Sequence, residues 1–208
     1  MSSLTKLTLY HFPGACSLAP LIALTEAGAD FEIYNVDLQG GHQRSPEFLA
    51  VNPKGRVPAL IVPGKGILTE NVAILAYVAQ TFPEANLAPT DPFKFAKLQA
   101  FNSYLSSTVH VAHGHLNRGH RWSDDPIGIA SMKAKVPQNI KESFDLIEAE
   151  FFVGPYVLGE TFSVADAYLF TVASWLEKDS VDIETLPKIK AHRELLLSRP
   201  SVQRAIAK

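Results

Sequence analysis

Between Phe82 and Pro92 the chain changes character, and that change restricts it to a two-part fold. Pro83, Pro89 and Pro92 crowd together there with Asn86, Thr90 and Asp91, a composition that interrupts both helix and strand and suits an exposed connection. Ahead of it, short alternating apolar segments are separated by helical ones. Behind it no strand pattern is convincing, and only helical periodicities remain. The expected organisation is an α/β half over residues 1–83, a linker over 84–91 and an all-α half over 92–208.

In the first half, Leu7 and Leu9 alternate with Thr8 and Tyr10 as a strand, and Pro13-Gly14 marks a turn. From Ser17 onward Leu18, Leu21, Ile22 and Ala23 recur at helical spacing, with Pro20 tolerated in the first turn and Gly28 as C-cap. Phe31–Leu38 reads as a second strand, and the strand–helix–strand order implies parallel pairing. A loop over Gln39–Arg44 leads to a short helix with Ser45 as N-cap and Pro46 at its first position, ending before Pro53. Val57–Val62, the turn Pro63–Gly66 and Ile67-Leu68 form an antiparallel hairpin, and Thr69-Glu70-Asn71 open a helix carrying Val72, Leu75, Ala76 and Ala79. The order is β-α-β-α-β-β-α.

In the second half, Asp91-Pro92 and Asp125-Pro126 each place an N-cap before a proline at the first helical position. The first opens a long helix. The second opens one running to about Phe152, with a bend expected at Pro137. Ser163-Val164-Ala165-Asp166 is a capping box ahead of the apolar run Ala167–Trp175, and Leu186–Ser198 and Ser201–Ala207 complete the helices.

Cys16 is the only cysteine and falls at the start of the first helix. Unpaired N–H groups and the positive end of the helix dipole favour a thiolate there. A small buried hydrophobe is the alternative reading of the same residue. The bulk properties exclude several classes. Hydrophobic residues make up 47%, enough for a core without disulfides or metal, and one cysteine rules out an internal disulfide framework and fits a reducing compartment. A net charge of −2 gives no sign of a nucleic-acid binder. No apolar signal segment opens the chain, and no run approaches the roughly 18–20 apolar residues of a membrane span, so a cytoplasmic protein with no membrane partner is expected. His110, His113, His115 and His120 lack a second cysteine or a His-Glu motif, so no metal site is expected.

Four motifs in order carry a resemblance that spans nearly the whole chain. Tyr10–Ser17 is similar to the signature of bacterial beta-class cytosolic glutathione transferases, in which a cysteine replaces the tyrosine or serine of other classes. Asn52–Leu60 resembles the family's cis-proline loop, Thr69-Glu70-Asn71 its γ-glutamyl site, and Ser163–Asp166 the capping box of its C-terminal domain. The resemblance implies a thioredoxin-like domain followed by a helical bundle domain, with glutathione as co-substrate, a homodimer and a role in detoxification. It implies that Val57, ahead of a cis Pro58, pairs its backbone with the cysteinyl unit of glutathione, while Glu70 and Asn71 hold the γ-glutamyl end. The family usually has serine at the position of Asn71. Lys54 and Arg44 are fallback cations for the glycyl carboxylate. Cys16, Ser17 and His110 are the expected catalytic groups, although Val111 stands where the pattern has a lysine and His11 where it has a tyrosine. Phe12, His11, His113 and Trp122 are the expected walls of the electrophile pocket. Arg118 and Arg121, with Trp122, line either a substrate pocket or a dimer interface, or form surface salt bridges. The implied activity is addition of the glutathione thiol to small electrophiles. Monothiol disulfide reduction through Cys16 and non-catalytic binding are the alternatives.

Overall fold

The computed structural model describes residues 6–208. Its sheet has four strands: β1 (Leu7–His11), β2 (Phe31–Asn35), β3 (Ala59–Val62) and β4 (Gly66–Thr69), in the spatial order β2-β1-β3-β4. β1 and β2 are parallel, with Leu9 opposite Ile33. β1 pairs antiparallel with β3, and β3 with β4. Helices α1 (Leu18–Glu26), α2 (Pro46–Val51) and α3 (Asn71–Thr81) complete the first half in the order that the sequence pattern implies. Two strands are shorter than expected. β2 stops at Asn35 because Asp37 turns the chain: its carboxylate accepts from the N–H groups of Gln39 and Gly40. β3 starts only at Ala59, since Pro58 has no N–H to give to a neighbouring strand.

The second half is helical throughout: α4 (Pro92–Tyr104), α5 (His110–Arg118), α6 (Pro126–Leu146), α7 (Val164–Ala173), α8 (Pro187–Leu197) and α9 (Pro200–Ile206). The local signals act as expected at helix starts. Asp91 accepts from Lys94 N–H at 2.8 Å, and Asp125 from Gly128 N–H at 2.9 Å. The long helix after Asp91 is interrupted by a wider π turn over Leu105–Val109, which separates α4 from α5. Helix α6 continues through Pro137 to Leu146, and a second π turn follows it.

Helices α1 and α7 explain how the halves meet. Every residue of α1 from Leu18 to Leu24 is buried, and so is every residue of α7. A helix that is apolar all round must be enclosed on all sides. α1 is enclosed by the sheet, α3, α7 and α9. One hydrophobic cluster therefore runs from Leu9 in β1 through Ile22 in α1 to Leu169 in α7 and Leu196 in α8. At the far end of α1, Glu26 is bound by Arg199 and by the Ser201 hydroxyl, which pins α1 to the start of α9.

A buried carboxylate fixes α7. Asp166 is fully buried and accepts from Ser163 N–H at 2.8 Å, Ser163 Oγ at 2.9 Å and Val157 N–H at 2.7 Å, and it pairs with His192 Nε2 at 3.0 Å. The capping box thus joins α7, the loop before it and α8. Removing one partner from such a network leaves the others desolvated and unpaired. Asp166→Ala should lower stability by ~3–5 kcal/mol in urea unfolding. Ser163→Ala, which removes only the cap, should cost about 1 kcal/mol. An unmoved midpoint for Asp166→Ala would overturn this account.

Candidate active site

The turn between β1 and α1 brings three separate motifs together. Ala15 N–H bonds to Phe12 O at 3.1 Å, which folds the turn and leaves Cys16 half-buried ahead of α1. The Cys16 thiol donates to Val57 O at 3.3 Å, and the Cys16 carbonyl accepts from Asn71 Nδ2 at 3.0 Å. The Val57–Pro58 peptide is cis. Val57 N–H has no protein acceptor among the described residues. Asn71 is 5% exposed, and its Oδ1 is buried with no partner. Glu70, just before α3, has φ 75°, a left-handed conformation that is costly for a side-chain-bearing residue. Its carboxylate is held by Lys54, which also donates to Thr69 Oγ1 at 2.6 Å. Lys54 is therefore an orienting partner of Glu70, and its charge is not directed at a separate carboxylate site.

Burial works against the thiolate that a helix start would favour at Cys16. Burial pushes the thiol up to about 11, against an ordinary value of 9.0. The positive charge of Arg118 and the N–H groups of Cys16 and Ser17 pull the other way, so the helix-start effect is present but loses to desolvation.

The cleft in front of Cys16 consists of two cavities of about 310 and 620 Å³, which share Cys16, Arg56, Val57, His110, Arg118 and Arg121 as lining residues. Glu70, Asn71, Trp122 and Tyr168 border the smaller one, while Phe12, His113, Trp175 and Lys178 border the larger. His110 thus faces both. Burial, and then repulsion from neighbours that include Arg118, Arg56 and Arg121, push its imidazole down to about 4, so it is uncharged at neutral pH. His113 stacks on Trp175 with ring centres 4.4 Å apart, and its Nδ1 meets the Asp179 carboxylate at 2.7 Å. The Trp175 indole N–H donates to Gly14 O at 3.0 Å, which ties the second half to the Cys16 turn. Trp122 folds back on α5 over Gly114, where a Cβ would come within 3.1 Å of the indole.

Two expected site residues face elsewhere. Ser17 is fully buried. Its Oγ shares a hydrogen bond of 2.8 Å with His11 Nδ1 and accepts from Phe12 N–H at 3.2 Å, so it braces the turn and lines neither cavity of the cleft. His11 is 1% exposed and borders a separate cavity with Leu18, Phe170 and Ser174. Strand alternation accounts for this: His11 and Phe12 point to opposite sides where β1 ends. Arg44 lies over Gly55, whose absent Cβ would sit 2.8 Å from its Nη1.

Sequence reasoning missed Arg56, Tyr168, Trp175, Asp179 and Lys178. Tyr168 and Trp175 belong to an apolar run that carries no amphipathic signal. Arg118 was named from the sequence as a pocket or interface residue, and it lines both cavities. It stands seven residues after Val111, so it returns to the same helix face within ~20° and supplies a positive charge two turns further on.

Comparison with known proteins shows the family to which this fold belongs. Residues 5–80 match the model "Glutathione S-transferase, N-terminal domain", and residues 127–200 match "Glutathione S-transferase, C-terminal domain". Glutathione S-transferase GstA of Escherichia coli O157:H7 is 34% identical over 201 residues, covering 96% of each chain. The chain belongs to the glutathione S-transferase family. Among solved structures, a glutathione transferase homologue from Sulfitobacter with bound glutathione superimposes with a TM-score of 0.94 at 44% identity over 97% of each chain. A beta-class transferase from Sphingomonas chungbukensis gives 0.84 at 36% identity, covering 96% of this chain and 97% of its own. Within this transferase family, the neutral thiol of Cys16 makes a direct prediction. Its alkylation rate by iodoacetamide should keep climbing with pH past 9.0 without levelling, and Arg118→Gln should slow it at every pH by removing a favourable charge. A plateau near 9.0 would show that burial does not control the thiol.

Proposed function

We propose that the cleft binds glutathione across Val57 and the start of α3, and that the chain transfers its thiol to small electrophiles carried in the larger cavity. The observation that carries this reading is the set of unfilled hydrogen-bonding groups on residues that line one cavity: Val57 N–H, Asn71 Oδ1 and the first N–H groups of α3. They complement a short peptide bearing a free α-amino acid end. Val57 N–H and C=O pair with the cysteinyl backbone as an added strand, and the ligand N–H replaces the Cys16 thiol on Val57 O. The γ-glutamyl carboxylate meets the N-terminus of α3, and its ammonium meets Glu70 and Asn71 Oδ1.

The ligand sulfur then lies beside Cys16 and His110. Arg118 supplies the positive field, and neutral His110 donates a hydrogen bond to the thiolate without carrying charge itself. The thiol proton leaves to water, the thiolate forms a C–S bond to the electrophilic carbon, and the leaving group departs with its bonding electrons. Disulfide exchange by Cys16 is disfavoured, since only the thiolate attacks and a thiol at about 11 is almost wholly protonated at neutral pH. We attach to this reading the division into residues 1–83, 84–91 and 92–208. The homodimer, the cytoplasmic location and the detoxification role also belong to it, and family membership supports them.

Isothermal titration with glutathione tests the reading. Binding is expected, and Asn71→Ala should weaken it by about tenfold, the size of one hydrogen bond to a charged group. A lack of heat at millimolar glutathione would remove both the transferase and the binding-protein versions.

A further inference from the structure

We propose that the electrophile handled by this cleft carries its own carboxylate, anchored by Arg121 with Lys178 across the larger cavity. The inference rests on the transferase reading above and names its substrate class. It starts from an imbalance of charge. Arg56, Arg118, Arg121 and Lys178 all line the larger cavity, and Arg44 stands beside them over Gly55. None of these five side chains makes a salt bridge or a hydrogen bond to an acid among the described residues. Glu70 is the one acidic residue lining either cavity, and Lys54 already holds it.

Glutathione does not absorb this much positive charge. Its γ-glutamyl end carries both a carboxylate and an ammonium and is served by α3, Glu70 and Asn71. What remains is one thiolate, which Arg118 faces, and one glycyl carboxylate, which Arg56 beside Val57 can take. Arg121 and Lys178 are left over. Arg121 is held down from its ordinary value by burial and then by Arg118, Arg56 and Arg44, as expected of a guanidinium among unneutralised like charges. An arriving anion relieves that repulsion.

The placement is built rather than incidental. Arg118 precedes the 3₁₀ turn Gly119–Arg121 and Arg121 ends it, and Gly119 is buried against α6, where a Cβ would come within 3.0 Å of Ile129. The turn cannot move outward without losing that packing. On the other side, Phe12 and Trp175 offer flat apolar walls to the body of the substrate. A guanidinium fork matches a carboxylate through two parallel N–H donors, which a lone lysine cannot do. The cavity therefore suits an apolar or aromatic electrophile with a carboxylate at one end.

The test compares two electrophiles of the same substitution chemistry, chlorodinitrobenzene and chlorodinitrobenzoate, each rate divided by its uncatalysed rate. The expected result is a preference of about tenfold in kcat/KM for the benzoate, eroded by added salt. Arg121→Gln should collapse that ratio toward one, and Arg121→Lys should restore part of it. Equal use of both compounds by the unaltered protein overturns the proposal while leaving the transferase reading intact. So does Arg121→Gln raising KM for glutathione equally with both, which would assign Arg121 to glutathione. If neither compound is turned over, the transferase reading fails, and binding of the two preformed glutathione conjugates decides the anion site through quenching of Trp122 and Trp175. Tighter binding of the carboxylated conjugate supports it, and equal or absent binding overturns it.

Discussion

The enclosure of α1 is the constraint on which the rest depends. Its Leu18–Leu24 stretch has no polar face to turn to water, so the helix folds only if the sheet covers one side and α7 and α9 the others. The boundary visible in the sequence near Phe82–Pro92 is thus a boundary of topology and not of packing. Cys16 stands directly ahead of this helix, and its neighbours arrive from both halves: Val57 and Asn71 from the first, His110, Arg118 and Trp175 from the second. The cleft is shaped by the same contacts that bury α1. A change in the α1–α7 interface is therefore felt at Cys16 before any residue of the cleft is altered.

Desolvation sets the chemistry at that point. A thiol at a helix start in water would be acidic, but here burial outweighs the helix N–H groups and Arg118 together. The same burial strips charge from His110. Both groups are neutral hydrogen-bonding partners, and the fixed charge comes from arginines on the rim. This separation is useful. A neutral donor beside the sulfur does not have to be desolvated as an ion, while a guanidinium remains charged at any working pH.

How much of this was legible depends on whether a feature is local. Ser45, Asp91, Asp125 and Ser163 cap the helices they precede, because each bond spans only two or three residues. The order of strands and helices along the first half followed from alternation and turn residues. The failures are matters of facing. Ser17 and His11 sit next to Cys16 in sequence but bond to each other on the far side of the turn. Lys54 looked like a free cation but is spent on Glu70, sixteen residues away. The π turn ahead of α5 left no compositional trace, and Tyr168 and Trp175 were hidden because a wholly buried helix shows no preferred side.

The two charge requirements of the cleft compete, and having Arg118 at the end of α5 and Arg121 in the turn after it eases the competition. A positive field that lowers the thiolate's energy also draws in any anion, and an anion close to the sulfur would cancel the field. Arg118 and Arg121 both line the two cavities, and of the two it is Arg118 whose charge acts on the Cys16 thiol, which leaves Arg121 for a second anion. An anionic electrophile held at Arg121 neutralises the charge nearest to itself and leaves Arg118 acting on the sulfur. With Val111 beside His110, the positive charge on this face of α5 stands two helical turns further on, at Arg118, where it lines both cavities.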